Sequence, residues 1–123
     1  MSKENRVEQI NCLIEVISSI GRRFFHTEGT IAHMKLKRGH IYFVDDYTKE
    51  DVRVLNNQKD WSNFSHSGTI HALVLDFADF IRTGEPSNGK HGYRGLLSRD
   101  WGCSESEHDE MIAFAKTIGF VQI

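Results

Sequence analysis

The most regular alternation of apolar and polar positions in this chain lies between residues 68 and 83. Apolar side chains recur there at every third or fourth position, which is the spacing of one face of an α-helix. Ser67 and Thr69 can accept hydrogen bonds from the free amides of a first helical turn, and Gly84 can take the left-handed conformation that ends a helix. We therefore predict an amphipathic helix over residues 68–83. Its apolar face comprises Ile70, Leu73, Val74, Phe77 and Ile81, with Phe80 at the edge.

The other sides of this helix differ in character. Ala72, Asp76 and Asp79 lie opposite the apolar face, because successive residues are rotated by about 100°. Between the two faces lies a flank for which the pattern dictates neither burial nor solvation. This flank is a candidate contact surface. It contains His71, Leu75, Ala78 and Arg82.

Two further helices are predicted near the ends of the chain. Residues 5–20 form a broad apolar arc, with Asn5 as a cap and Glu8 three residues later. Residues 105–118 begin with acidic side chains near the positive end of the helix and stop at Gly119. After this helix, a short terminal strand is predicted from Phe120, Val121 and Ile123.

Between the first helix and the helix 68–83, short runs of β-forming residues alternate with turn residues. In the second run, Ala32, Met34 and Leu36 alternate with more polar positions, so one face of the strand is expected against the helices. The fold class is therefore α+β, with an antiparallel meander of three or four strands packed on one face by the three helices. The predicted order is α-β-β-β-β-α-α. The four predicted strands are residues 23–26, 30–36, 40–44 and 52–55.

Composition is that of a globular protein with a single domain over residues 1–123. A chain of this length buries roughly two-thirds of the surface that it exposes when unfolded, which suffices for one core. Apolar residues make up 39% and charged residues 26%, so global disorder is not expected. The net charge of −2 argues against coating of nucleic acid by bulk attraction and against an acidic DNA mimic, although a local basic patch can still contact phosphates.

The N-terminal residues are polar, and the apolar run at 12–14 is interrupted by Glu15. We therefore expect neither a signal peptide nor a membrane span, and we expect a cytoplasmic protein. The two cysteines, Cys12 and Cys103, provide no disulfide framework.

Residues 84–103 form a long segment without a periodic pattern, and they contain five of the ten glycines and the one proline. Connections of this length inside compact domains are uncommon and are more often functional than idle. Tyr93, Arg94, Arg99 and Trp101 lie close together here, and these residue types dominate the energetics of protein interfaces. The same side chains can instead fold the loop onto the core, with Trp101 buried, and both interpretations stay open.

Some patterns approach chemical motifs without meeting their requirements. Residues 84–91 nearly spell a phosphate-binding loop, but His91 stands where Ser or Thr is required, and the segment follows a helix. Cys103 with His108, and His66 with His71, lack the spacing of a zinc clamp, so we predict no metal and no cofactor. An enzyme is the third hypothesis. Its candidate nucleophiles and bases are Cys103 with His108, Ser65 with His66, and Ser98 with His91 and Asp100.

A cluster of basic residues in the first half of the chain supports a second hypothesis, a nucleic-acid-binding module. A helix followed by strands and a further helix is similar in outline to helix–sheet RNA-binding folds. Alternatively, these cations protect exposed sheet faces and edges from aggregation. The residues are Arg22, Arg23, Lys35, Lys37 and Arg38.

Four segments carry a family resemblance: GRRFF at 21–25, IYFVDDYT at 41–48, WSNFSHSGT at 61–69 and IRTG at 81–84. They resemble small uncharacterised proteins of tailed bacteriophages and prophages, in which a Phe-Ser/Asn-His-Gly-Gly-Thr turn precedes an amphipathic helix. The likeness covers residues 20–84 and, more loosely, 101–121. Here Ser67 replaces the first of the two glycines, and the loop 85–100 looks particular to this chain.

The resemblance implies a phage or prophage accessory protein and brings no activity with it. Small proteins of that setting often bind a host protein stoichiometrically, and some inhibit defence systems such as CRISPR–Cas. Our leading hypothesis is a non-enzymatic protein that binds and blocks a host protein or defence complex through the loop 85–103 and the flank of the helix 68–83. The predicted contact residues are Tyr93, Arg94, Arg99, Trp101, His71, Leu75 and Arg82.

Overall fold

A computed structural model describes residues 2–56, 58–66 and 68–122. Within these ranges the chain forms three α-helices, five short strands and a 3-10 helix over Gly95–Leu97, so the predicted α+β class and the order of helix, strands and helices are confirmed. The helices are α1 (Lys3–Ser18), α2 (Gly68–Thr83) and α3 (Glu105–Thr117). The strands are β1 (His26–Thr27), β2 (Thr30–Ile31), β3 (His33–Lys37), β4 (His40–Val44) and β5 (Asp51–Arg53).

The helix ends follow local capping chemistry. α1 begins earlier than predicted because the side chain of Ser2, rather than that of Asn5, caps it and accepts a hydrogen bond from the Asn5 amide at 3.1 Å. α3 begins at a capping box in which Ser104 and Glu107 bond each other's backbone amides. α2 has the predicted bounds. Ser67, its predicted cap, and Ile123, in the predicted terminal strand, lie outside the described residues.

The predicted antiparallel meander of three or four strands is present as the three strands β3, β4 and β5, but the first two predicted strands have other bounds because the chain bends at two places. Arg23 and Phe25 have left-handed backbones, with φ of 52° and 69°, so the first predicted strand shrinks to β1. The second predicted strand divides at Ala32, whose amide donates to the Phe25 carbonyl at 2.8 Å. The result is a separate β1–β2 hairpin and an antiparallel sheet in the order β3-β4-β5.

The outer edge of β3 is covered by α1 through one side chain. The side-chain amide of Asn11 donates to the Met34 carbonyl at 3.0 Å, and the Met34 amide donates to the Asn11 side-chain oxygen at 2.6 Å. Both backbone groups of an otherwise unpaired edge position are thereby satisfied. The inward face of β3 is as predicted, because Ala32 and Met34 are buried and Leu36 packs against the core.

α2 is the central helix of the protein and is buried on nearly all sides. Ala72, Asp76 and Asp79, which lie opposite the predicted apolar face, are also buried, with Asp76 fully inaccessible. The segment that covers this side runs from Gly84 to Cys103 and includes the 3-10 helix. The amphipathic pattern of the sequence therefore identifies only one of the two faces of α2 that are buried.

The chain after α3 packs against the core without forming a strand in the described part. Phe120 and Val121 are buried, and their amides donate to the Ala115 carbonyl at 2.9 and 3.4 Å, which closes the end of the helix. The Phe120 carbonyl accepts from the Ser87 amide at 3.2 Å, so the C-terminal segment also holds the start of the long loop. The terminal strand is therefore wrong for residues 120–122.

None of the helices in the described ranges is long and apolar enough to cross a membrane.

Gly21, which follows α1, packs closely against the segment that contains Trp101. Its φ is 54°, and an added Cβ would lie 2.6 Å from the Trp101 carbonyl oxygen and 2.9 Å from the Cys103 amide nitrogen. Gly21→Ala should therefore lower the free energy of unfolding by more than about 2 kcal/mol, measured by urea denaturation.

The matched control is Gly29→Ala, because Gly29 also has a positive φ, of 81°, but a Cβ there meets no atom within 4 Å. This variant should lose only about 1 kcal/mol. Equal losses in the two variants would mean that the contact at Trp101 is not tight.

Candidate functional site

The long loop after α2 is fastened to that helix by Asp76. One carboxylate oxygen accepts from the Gly89 amide at 2.8 Å, and the other accepts from the His91 amide at 3.2 Å. Burial raises the pKa of Asp76 to about 6, although the two amide hydrogen bonds act in the opposite direction. The bonds fix the backbone of the loop directly over the middle of α2.

A second carboxylate one turn further along, Asp79, binds the side chains of the same region. It accepts from Arg82 at 2.8 Å and from His91 Nε2 at 2.6 Å, and the ammonium group of Lys90 lies 3.3 Å away. Burial alone would raise the pKa of Asp79, but the bonds and charges of His91 and Lys90 hold it below 3.8. We call the contacts of Asp76 and Asp79 the loop clasp.

The second half of the loop is held by Asn88. Its side-chain oxygen accepts from the Leu96 amide at 2.6 Å, and its side-chain amide donates to the Arg94 carbonyl at 3.4 Å. Between these anchors Tyr93 and Arg94 have φ of 58° and 61°, a left-handed conformation that is unfavourable for residues with a Cβ. Both side chains are exposed, Tyr93 by 65%.

A groove runs between the start of α2 and this loop, and it consists of two adjoining hollows of about 240 and 410 Å³. Thr69, Ser98 and Asp100 line both hollows, so the two lie side by side. We call the pair of hollows the arginine groove. Its first hollow is further lined by Arg22, Phe24, Ile70 and Trp101, and its second by Tyr93, Arg94 and Arg99.

The wall of the first hollow is built from aromatic rings and Arg22. The guanidinium of Arg22 lies over the ring of Phe24, 5.3 Å from its centroid, and Phe24 meets Trp101 edge to face at 5.1 Å. Trp101 is only 4% exposed, so it folds the loop onto the core and forms a groove wall rather than an exposed anchor. Its indole nitrogen has no hydrogen-bond partner among the described residues.

Arg99 is positioned by the buried His108. The Nε2–H of His108 points at the Leu96 and Ser98 carbonyls, at 2.8 and 3.0 Å, so Nδ1 is left as an acceptor for Arg99 Nη1 at 3.3 Å. Cys103 lines a hollow of about 440 Å³ together with His108 and Arg99. Because both ring nitrogens are engaged, His108 has none available as a base for the thiol.

A second clasp joins the segment after β4 to the entrance of α2. Asp45 accepts from the Ser65 amide and hydroxyl, at 2.7 and 2.8 Å, and from two amides of its own turn. Asp46 accepts from His66 Nε2 and from the Thr27 hydroxyl, both at 2.6 Å. Burial alone would raise the pKa of Asp46, but these hydrogen bonds keep it below 3.8.

Asp45, Asp46 and His66 offer ligand atoms within 4.8 Å of one another, close enough to hold a metal ion. All four carboxylate oxygens, however, already accept hydrogen bonds from protein groups. These bonds account for the arrangement as a clasp that fixes the turn before α2. The two halves of this clasp come from the segments 41–48 and 61–69, which carry the resemblance to phage proteins.

The predicted flank of α2 does not line the arginine groove. His71 stacks on Trp61, with ring centroids 4.1 Å apart, and burial lowers its pKa below 6.5. Leu75 packs against the core. Arg82 is bound by Asp79 and by the Val54 carbonyl, at 2.8 and 2.7 Å. The structure thus separates these three residues from the predicted loop residues.

The basic residues predicted for nucleic acid lie on different elements. Arg22 lines the groove, whereas Arg23 is exposed in the turn before β1. Lys35 pairs with Asp51 at 2.7 Å. Lys37 is exposed at the end of β3, and Arg38 occupies the left-handed first position of the β3–β4 turn, with φ of 54°.

Sequence reasoning missed the residues that organise the site, namely Asp76, Asp79, Asn88 and His91. A signal for two of them was present, because Asp76 and Asp79 interrupt an otherwise apolar helix that has few other polar residues. Buried carboxylates require donors, so such residues indicate that a further segment covers the helix.

Together these features define a small α+β protein in which a loop, held by side-chain hydrogen bonds, lies over a buried helix. The profile of the YoqU family matches residues 1–123. The chain is 35% identical over 120 residues to the SPbeta prophage-derived uncharacterized protein YoqU of Bacillus subtilis (strain 168). The aligned residues cover 95% of this chain and 83% of that protein. The chain therefore belongs to the YoqU family, and the predicted relation to prophage proteins is confirmed at this level. No solved structure matches it.

The raised pKa of Asp76 makes stability depend on pH. The folded protein holds this proton with a pKa of about 6, against an ordinary value of 3.8, so the contribution of Asp76 to stability falls as pH rises through this window. Across the whole window, this contribution to the free energy of unfolding falls by about 3 kcal/mol. Relative to Asp76→Asn, the wild type should therefore lose most of this, about 2 kcal/mol of free energy of unfolding, between pH 4 and pH 7, measured by urea denaturation at each pH.

The lowered pKa values of Asp46, Asp79 and His71 act in the opposite direction, as stability lost on acidification, and they largely cancel because both proteins contain these groups. Asp109→Asn, a change at an exposed site on α3, is the control and should keep the wild-type profile. Parallel profiles for the wild type and Asp76→Asn would contradict the raised pKa.

Proposed function

We propose that this protein is a prophage accessory protein that binds a protein of the bacterial host stoichiometrically and without catalysis. The proposed contact surface is the rim of the arginine groove, formed by Tyr93, Arg94 and Arg99. A host defence complex, including one of the CRISPR–Cas type, is the partner class that we favour, and the binding would block its working surface.

One observation carries this proposal. Tyr93 and Arg94 are held in a left-handed backbone that is unfavourable by about 1 kcal/mol or more for each residue. The fold makes no use of either side chain in its core, since both are exposed. Unfavourable backbone geometry at exposed Tyr and Arg residues is typical of a surface kept for binding, because these residue types make the strongest interface contacts.

Rigidity of the loop supports the same conclusion. Asp76 and Asn88 hold the loop backbone on both sides of Tyr93, so little conformational freedom remains to be lost when a partner binds. Membership of the YoqU family supports a setting in a bacterial host. The flank of His71, Leu75 and Arg82 takes no part in the present proposal, because these side chains already have partners within the chain.

Nucleic-acid binding is the second candidate, favoured by the position of Arg22, Arg94 and Arg99 around one groove with the exposed ring of Tyr93. Against it, Asp100 lies in the same groove and the net charge of the protein is −2. Titration with DNA and RNA at increasing salt separates the candidates, because phosphate contacts make affinity fall steeply with salt.

The proposal predicts that Tyr93→Gly and Arg94→Gly each abolish partner binding without loss of fold. Glycine accepts a positive φ, so the free energy of unfolding should change by no more than about 1 kcal/mol. The measurement is affinity purification of the tagged protein from a Bacillus host, with the co-purifying protein quantified against the bait. Trp101 is left unchanged because it is buried.

Lys49→Gly is the matched control. Lys49 is exposed and has φ of 62°, so this variant relieves a similar backbone conformation at a site distant in sequence from the loop. It should retain the partner at the wild-type ratio. Retention of the partner by Tyr93→Gly and Arg94→Gly as well would refute the proposed surface.

A further inference from the structure

We infer that the arginine groove recognises an acidic segment of a protein, in which at least two carboxylates are spaced along an extended chain. This inference rests on the proposed function, since it specifies the chemistry of the partner at the same surface.

Three arginines of the groove carry charge that no carboxylate among the described residues balances. Arg22, Arg94 and Arg99 line the two hollows, and in the described part of the chain none of them forms an ion pair with a carboxylate. Arg99 is instead oriented by a neutral acceptor, the Nδ1 atom of His108. Its guanidinium therefore keeps its full charge and retains donors for a carboxylate.

The start of α2 also favours a negative group. Thr69, in the first turn of this 16-residue helix, lines both hollows, and this turn contains no acidic residue. The positive end of the helix dipole therefore adds to the charge of the arginines near the groove. Asp100 also lines both hollows and partly offsets this charge, so the groove suits a segment whose carboxylates are few and spaced.

Two features of the groove favour a protein segment over a nucleic acid. Asp100 lines both hollows, and its carboxylate accepts from the Ser98 hydroxyl at 3.3 Å, so the groove is not uniformly positive. A negative group here is unfavourable for a chain with a phosphate at every unit. In addition, Phe24 and Trp101 pack against each other, and Trp101 is buried, which leaves Tyr93 as the exposed ring of this surface. Stacking of successive bases requires several such rings.

The distribution of the arginines favours a segment that spans both hollows. Thr69, Ser98 and Asp100 line both of them, whereas Arg22 lines one and Arg94 and Arg99 line the other. A segment with two carboxylates can therefore pair with an arginine in each hollow.

The test uses fluorescence anisotropy with three labelled probes. The glutamate peptide has about six residues, with a glutamate at each end and serines between them; the glutamine peptide has glutamine in place of both glutamates; and the third probe is an oligothymidylate of about twelve nucleotides. We expect the full-length protein to bind the glutamate peptide and to bind it more weakly when the salt concentration rises from about 50 to about 200 mM. Arg22→Gln, Arg94→Gln and Arg99→Gln should each weaken this binding by about tenfold.

Lys37→Gln is the matched control, since Lys37 is an exposed cation on β3 outside the groove, and it should bind the peptide as the wild type does. Thermal denaturation checks that each variant is folded. Arg94→Gln keeps the test decisive if a change at Arg22 or Arg99 disturbs packing, because Arg94 is exposed. Equal binding of the glutamine peptide, tighter binding of the oligothymidylate, or absence of glutamate-peptide binding would each overturn the inference.

The two proposals fail separately. If the host partner co-purifies with the wild type and with all three Arg→Gln variants but not with Tyr93→Gly, the protein-binding function stands and the acidic segment is refuted. If the glutamate peptide binds as expected but no host protein co-purifies, the groove chemistry stands and the proposed function is refuted.

Discussion

The structure depends on burial of the Asp76 carboxylate in the middle of α2. A charged group in the interior is tolerated only when hydrogen-bond donors replace the water that it loses. The Gly89 and His91 amides provide these donors, so the loop must pass over this side of the helix for the core to close. The path of the first half of the loop, up to Tyr93, follows from this requirement, whereas Asn88 holds the second half and His108 orients Arg99.

At the entrance to α2, the buried carboxylates of Asp45 and Asp46 likewise accept hydrogen bonds from protein donors. Their carboxylates bind Ser65 and His66, which lie in the segment just before α2. These two residues therefore secure the turn that leads into the central helix. Their hydrogen bonds show how the fold is held at this point and are independent of what the loop contacts.

Local signals allow much of the fold to be predicted from the sequence, but they do not reach the site. The bounds of α2 follow from its apolar repeat and from Gly84. The left-handed Phe25 does not, because its conformation is set by contact with Ala32 and by its buried ring. Tyr93, Arg94 and Arg99 are predictable as a group from their proximity along the chain. Arg22 lines the same groove only because Gly21 packs against the Trp101 carbonyl, and no local sequence pattern indicates this contact.

The close approach of Gly102 to Arg22 constrains how this family can diverge. An added Cβ at Gly102 would lie 2.5 Å from Cγ of Arg22 and 2.8 Å from its Cδ, so the aliphatic stem of the arginine occupies the space that a larger residue would need. Gly102 also has φ of 72°, so a side chain at this position would be strained as well as crowded. The direction in which the Arg22 side chain leaves the first hollow therefore depends on a glycine eighty residues away in the chain.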